Sequence, residues 1–294
     1  MKKERTVKKL NLKINNGNVI ILDGKFLCYR TMYSKGMSEL EHDNVKVGMI
    51  FGFFNTIKSV IKKFNPTNLV IMWDGVGSIR RQEYPEYKNK DKFKYLKPEQ
   101  INTLKQLSIE YPKLIEICDD IGFASYILND YEADDLIALF VEKFKTINKI
   151  IVTKDEDMYQ CIDKTTLIYD LDKKIQKNYH WFKRTYDIEP IQWKLVKQNA
   201  GCTSDNVPGI KGVAELTAIK MIKGDEKALK KLESADKDEL ELWKKLTDLP
   251  HHTLKDYDIK YKITKINIDE FIKFCQLWNF RSFLEDLSEF ESLT

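Results

Sequence analysis

Eight carboxylates stand where their type and spacing could do metal chemistry. Asp23 ends the apolar run NVIILD (18–23), and Asp74 ends NLVIMWD (68–74); glycine follows each. Asp155 and Asp157 close KIIVTKDED (149–157), and Asp205 lies in SDNVPGIKGVAE (204–215). Glu132, Asp134 and Asp135 share one helical turn of YEADD (131–135). Two like charges about 4 Å apart repel by roughly 4 kcal/mol at an effective dielectric near 20. Such a set is untenable without cations. Oxygen donors without imidazole or thiolate suit Mg²⁺ or Mn²⁺ better than Zn²⁺. Two such ions fit phosphodiester hydrolysis, where one activates water and both stabilise the attacking and leaving oxygens. Any one of these acids alone reads as a turn residue, or as a helix-start acid facing the dipole. Three strand ends and one acidic helix start at the same edge outweigh that reading.

The elements that must bring them together follow from the apolar pattern. The runs at 18–23, 68–74 and 149–157 read as buried strands, with LIYDL (167–171) a fourth and IEICDD (115–120) a weaker candidate. The stretch from Val47 to Phe64 has helical spacing and stops at Asn65-Pro66. Residues 131–144 read as a helix capped by Asp130, with Leu136, Leu139, Phe140 and Val141 facing inward. Strands alternating with helices predict an α/β fold with a mostly parallel central sheet and flanking helices. Sites in such sheets form at the carboxyl ends of the strands, where Asp23, Asp74, Asp155 and Asp157 fall. After residue 178 the pattern turns helical. The expected organisation is a basic tail (1–17), an α/β core (18–177) and a helical region (178–294).

Residues 80–97, RRQEYPEYKNKDKFKYLK, hold seven Lys/Arg against three acids. Tyr84, Tyr87, Phe93 and Tyr95 are interleaved among them. Basic groups that track phosphates and aromatic faces that stack bases predict single-stranded nucleic acid. A solvated amphipathic helix is the plain alternative. In 204–215, Gly209 and Gly212 let backbone amides approach a phosphate at the start of a helix. A packing turn between helices explains those glycines equally well, but Asp205 beside them links the turn to the metal cluster.

Composition narrows the class. The 294 residues are 43% hydrophobic and 12% aromatic, enough for a buried core and unlike a disordered chain. Net charge is only +4, so the placement of charge matters more than its sum. Five scattered cysteines without a CxxC pair argue against a disulfide framework and a structural zinc site. Four histidines form no HExxH. The basic N-terminus lacks the apolar stretch of a secretory signal, and no run of 18 apolar residues spans a membrane. A cytoplasmic, reducing setting is expected.

Taken in order, ILDG (21–24), WDG (73–75), RRQEYPEYK (80–88), YEADD (131–135), TKDED (153–157) and SDNVPGIKGVAE (204–215) resemble the flap endonucleases. These structure-specific 5′ nucleases include phage 5′–3′ exonucleases and the 5′ nuclease domain of bacterial DNA polymerase I. The resemblance covers nearly the whole chain, and YEADD, TxDxD and SDNxPG together are highly specific. It implies a PIN-like nuclease core, a helical arch at 78–105 and a helix–three-turn–helix clamp near 204–222. It implies that Asp23, Asp74, Glu132, Asp134 and Asp135 hold mainly a first metal ion, and Asp155, Asp157 and Asp205 a second. It implies Mg²⁺, with Mn²⁺ able to substitute, and K⁺ at residues 208–213. Lys88 and Arg80 match arch residues that contact the scissile phosphate. Arg81, Tyr84, Tyr87, Lys90, Gly209, Lys211 and Gly212 fall where nucleic acid binds. The implied substrates are DNA flaps, nicks and single-stranded 5′ ends, and RNA primers, for a monomer without a membrane.

Two positions depart from the family pattern. Cys202 stands where a carboxylate is expected, and Asp91, preceded by Lys90, stands where a basic residue often follows the arch lysine. Neither removes the first metal site. A non-catalytic DNA-junction binder with an impaired second site is the competing reading. An acidic Ca²⁺-binding protein fails, because it leaves the basic segment unexplained and no EF-hand pattern is present.

Overall fold

The structure is a computed structural model that describes residues 18–34, 36–37, 39–89 and 97–294. Lys90, Asp91, Phe93 and Tyr95 lie outside the described residues. The chain begins with β1 (Asn18–Asp23), α1 (Gly24–Met32), a two-residue hairpin of β2 (Glu41–His42) and β3 (Val45–Lys46), α2 (Gly48–Phe64) and β4 (Asn68–Asp74). It continues through α3 (Ile79–Glu83), α4 (Pro98–Ile121), β5 (Ala124–Leu128), α5 (Ala133–Lys143), β6 (Asn148–Val152), β7 (Thr166–Asp170) and β8 (Ile175–Lys177). Eight helices follow: α6 (Tyr179–Tyr186), α7 (Trp193–Ala200), α8 (Glu215–Ile222), α9 (Glu226–Glu233), α10 (Lys237–Thr247), α11 (Ile268–Leu277), α12 (Arg281–Leu284) and α13 (Ser288–Glu291).

The six-stranded sheet has the order β5-β4-β1-β6-β7-β8, parallel except for β8. β1 lies at its centre, paired with β4 on one side and β6 on the other. Burial on both faces explains why NVIILD and NLVIMWD are continuous apolar runs and do not alternate. The register sets Asp23 opposite Met72 and Asp74 opposite Leu128, so the carboxyl ends of neighbouring strands open on one edge.

Each sheet face has its own core. One packs Ile20, Leu22, Phe53, Phe54, Leu69, Ile71 and Trp73 against α1, α2 and α4. The other packs Val19, Ile21, Val70 and Met72 against Ile137, Phe140, Trp193 and Ala218 of α5, α7 and α8. The first core also takes in Phe271, Cys275, Phe283 and Phe290 from the last helices. The expected helical region from 178 onward therefore returns to pack on the α/β half. Between α10 and α11 the chain makes one short 3₁₀ turn (His252–Leu254) and then runs along β5, where Thr264 Oγ1 accepts from Ala124 N at 2.9 Å.

Two elements differ from the sequence reading. Residues 115–120 are not a strand; they belong to the 24-residue α4. Leu107, Leu114, Cys118 and Ile121 recur at helical spacing and are buried, which outweighs the short apolar run. The strand comes later, as β5, after Gly122 ends α4 with φ 98. A side chain at Gly122 would meet the Lys265 carbonyl oxygen at 2.1 Å, so glycine is required there. The cap of α5 is Glu132, not Asp130, which has φ 70 just outside the helix.

Candidate active site

β1 ends in a residue with two tasks. Asp23 Oδ1 accepts from Phe26 N at 2.8 Å, capping α1, and the carboxyl stays at the floor of a cleft with 8% of its surface exposed. β4 ends in Asp74, whose Oδ1 accepts from Ala133 N at 2.9 Å at the start of α5. Lys25 Nζ lies 2.5 Å from Asp74 Oδ2. Asp155, after β6, accepts from Asp157 N at 2.8 Å and caps the 3₁₀ turn at 156–161. These strand ends and the first turn of α5 bring Asp23, Asp74, Asp134 and Asp155 into one electrostatic group. A cleft of about 460 Å³ opens over Asp23, Asp155, Asp157, Lys197 and Cys202.

The group is crowded enough to perturb its own ionisation. Burial, reinforced by Asp74 and Asp155, pushes Asp23 up to about 7. Burial followed by Asp155 and Asp23 raises Asp134 well above the usual carboxylate range. Loss of water around Asp155, then Asp157, pushes it to about 6. Asp155 lies at the open rim and keeps solvent contact, so water screens its shift more than that of Asp23.

Cationic side chains line the other side. Lys88 Nζ sits 2.7 Å from Glu132 Oε1 and 3.8 Å from Asp205 Oδ1. Burial pulls this ammonium down, but Glu132, Tyr87 and Asp205 outweigh it and hold it well above its ordinary value. Lys88 adopts φ 51, and its backbone N–H donates to Asp205 O at 2.8 Å. Asn206 Nδ2 donates to Glu86 O at 2.8 Å, so residues 86–88 are fixed to the 205–206 turn. Lys197, on α7, pairs with Asp157 at 2.8 Å and Glu215 at 2.9 Å.

Three expected site residues take other places. Arg80 is 2% exposed, and its guanidinium grips Asp135 Oδ2 and Oδ1 at 2.6 and 2.7 Å. It also donates to Leu246 O and Asp248 O. Arg80 is therefore committed inside the fold and does not face a phosphate. Asp135, at 0% exposure, also accepts from His251 N at 2.8 Å and Glu132 N at 3.3 Å, leaving it an anchor of α5, not an open ligand. Tyr87 is 2% exposed, and its hydroxyl donates to Glu132 at 3.0 Å and Asp205 at 3.3 Å, so its ring is not a base platform. Tyr84 packs edge-on against Trp243, with ring centroids 5.4 Å apart. Arg81, Lys211 and Gly212 are exposed, and Gly209 is half-buried.

Gly209 and Gly212 have φ of 68 and 74 in the turn between α7 and α8. A Cβ on Gly209 would lie 2.3 Å from Gly201 N, whereas Gly212 has room. Cys202 ends α7's connection, its Sγ 3.6 Å from Asp157 Oδ2 and 3.0 Å from Ser204 Oγ. Burial, with Asp157 and Asp205 adding, pushes this thiol up to about 12, so it stays neutral. Sequence reasoning missed Lys25, Lys197 and Tyr111, whose hydroxyl accepts from Asp74 N at 3.1 Å. Lys25 directly follows the ILDG motif, the one signal available; Lys197 and Tyr111 lie on helices with none.

Strand-end carboxylates raised by burial and by one another, open to solvent on one side and met by ammonium groups on the other, define a metal-dependent nuclease. The chain belongs to the 5′–3′ exonuclease family. Residues 18–189 match the model of the 5′–3′ exonuclease N-terminal resolvase-like domain. A 5′–3′ exonuclease of Mycoplasmopsis pulmonis is 33% identical over 223 residues, 74% of this chain and 71% of that protein. The thermostable DNA polymerase I of Thermus thermophilus is 29% identical over 212 residues, 70% of this chain but 24% of that protein; the chain spans about a quarter of that relative's length. The fold is similar to the bacteriophage T5 flap endonuclease in complex with DNA and metal ions, with TM-score 0.67 and 18% identity over 79% of this chain and 89% of that one.

Proposed function

We propose that the chain is a structure-specific 5′ nuclease that hydrolyses DNA at flaps, nicks and single-stranded 5′ ends, with RNA primers as further substrates. The observation that carries this reading is the convergence of Asp23, Asp155 and Asp157 on one open cleft, with Asp205 nearby bridged by Lys88 to Glu132. The donor set there is carboxylate oxygen, which fits hard divalent ions such as Mg²⁺ or Mn²⁺. Asp23, Asp74, Glu132 and Asp134 would hold one ion, and Asp155, Asp157 and Asp205 a second. Bound divalent ions lower the pKa of water and stabilise charge on the reacting phosphate.

The chain's own groups supply the rest. Lys88, fixed by its backbone to Asp205 and by its ammonium to Glu132, offers positive charge to phosphate oxygens as negative charge builds on them. Tyr87 orients Glu132 and Asp205 from below. Exposed Arg81 and Lys211 track the nucleic-acid backbone, and the Gly209–Gly212 turn at the N-terminal side of α8 receives a duplex phosphate. A K⁺ ion in this turn would share Gly212 O with the Lys231 ammonium, which donates to it at 2.6 Å. No helix among the described residues is long and apolar enough to cross a membrane, and all five cysteines are free, which suits a reducing cytoplasm.

The test is a 5′-labelled flap duplex incubated with the protein and Mg²⁺. Short 5′ products released with Mg²⁺ and absent with chelator support the reading. Tight junction binding without cleavage in Mg²⁺ or Mn²⁺ would replace it with the non-catalytic binder.

A further inference from the structure

A second cluster of metal-binding side chains lies outside the carboxylate cleft, on α3 and the loop after α10. One ligand atom each from Glu83, His251 and His252 falls within 4.8 Å of the others. His251 Nε2 is 3.4 Å from Glu83 Oε2, and His252 Nε2 is 3.6 Å from Glu83 Oε1. Both distances exceed those of good N–H···O hydrogen bonds, about 2.7–3.2 Å. Each is close to one edge, roughly 3.4 Å, of a tetrahedron around a metal with bonds near 2.0–2.1 Å, with the two histidines facing different oxygens of Glu83.

The surroundings suit imidazole ligation. His251 is fully buried, and its Nδ1 lies 2.8 Å from Thr253 Oγ1. With Nδ1–H donating to Thr253 Oγ1, the outer hydrogen bond that metal-bound histidines usually have, Nε2 would be the nitrogen that binds a metal beside Glu83. The Arg80 guanidinium nearby is already neutralised by Asp135. The His252 side chain is 48% exposed, so it can close the remaining gap and leave a fourth position open to water.

We propose that Glu83, His251 and His252 form a tetrahedral site for a borderline divalent transition metal of the Zn²⁺ or Co²⁺ class, separate from the carboxylate cleft. Two imidazoles and one carboxylate select these ions over Mg²⁺. The site joins α3 to the 248–254 loop five residues before Lys88. Its occupant therefore braces the base of the segment that carries that lysine.

The probe is Co²⁺ added to tag-free, chelator-stripped full-length protein in saturating Mg²⁺. Four-coordinate Co²⁺ gives intense visible bands, whereas six-coordinate oxygen sites give weak ones. The expected result is one intense-band Co²⁺ per chain, displaced by Zn²⁺. His252→Ala and Glu83→Gln, both outside the catalytic machinery, should weaken it by roughly 100-fold. Asp155→Asn should leave the band intact. Only weak bands in wild type, a band that persists in both site variants, or one lost in Asp155→Asn would overturn the proposal. The readout is independent of cleavage, so it stands or falls apart from the nuclease reading.

Discussion

Lys88 Nζ lies 2.7 and 2.8 Å from the two carboxylate oxygens of Glu132. Burial favours an uncharged Glu132, but Lys88 and then Arg80 outweigh it and hold the carboxyl below its usual range. Glu132 is thus kept ionised beside Asp134, which burial and its acidic neighbours push the other way. The lysine is placed where positive charge can serve a carboxylate and a phosphate alike.

Lys88→Ala should therefore cut single-turnover cleavage by roughly 100-fold, the scale of one lost transition-state donor. Substrate Kd should rise only a few fold, because one of several basic groups is removed. Rapid-quench rates and fluorescence anisotropy on the same flap measure the two. An unchanged rate with a raised Kd would reduce Lys88 to a backbone-tracking residue.

Arg80→Ala should act on stability. It leaves the Asp135 charge buried without its partner, and breaking such a pair costs about 3–5 kcal/mol. Urea denaturation should show a markedly lower midpoint, and Arg80→Lys should recover only part of it, since a lysine cannot reproduce the fork. Wild-type stability combined with lost cleavage would return Arg80 to the phosphate.

Stability should also follow pH in a defined direction. Asp23 and Asp155 titrate near 7 and 6 in the fold, against about 3.9 in an unfolded chain. Between those values the folded state holds more protons, so stability falls as pH rises. In chelator the melting temperature should drop from pH 5 to 8. Mg²⁺ should restore it most at the alkaline end, where the carboxylates are ionised. A chelated protein whose melting temperature rises over that range would contradict the crowded-carboxylate picture.

Cys202 lies against Asp157 as a neutral thiol, a poor donor for hard Mg²⁺. Cys202→Asp should lower the half-saturating Mg²⁺ concentration for cleavage, and wild type should respond more strongly to Mn²⁺. A Mg²⁺ titration of both proteins decides it. An unchanged half-saturation means that the carboxylate expected there acted only at a distance.

The strand ends were legible because β1, β4, β6 and β7 are apolar runs closed by acids, and two-sided burial leaves that mark on sequence. β5 was not: ASYIL is short and mixed, and the helical surface before it carries enough isoleucine to mimic a strand. The acids that gather at the strand ends were legible from their motifs. Arg80, Asp135 and Tyr87 were misplaced because their partners come from distant segments, with Leu246 O and Asp248 O more than 160 residues from Arg80. The aromatics of 80–89 sit among charges along the chain, yet Tyr87 folds into a small core with Val207, Trp243 and Leu246. The histidines at 251 and 252 carry no motif, and only the fold sets them against Glu83.

Cleavage is expected to take place in the carboxylate cleft. Asp155 lies at its rim, caps a short turn and is not part of the core, so Asp155→Asn should leave the fold standing. The direct measurement is single-turnover cleavage of a 5′-labelled flap in Mg²⁺, paired with binding of the same flap, for wild type and Asp155→Asn. The expected result is a rate lower by about a thousandfold or more with Kd unchanged or tighter. Wild-type turnover by Asp155→Asn would contradict it.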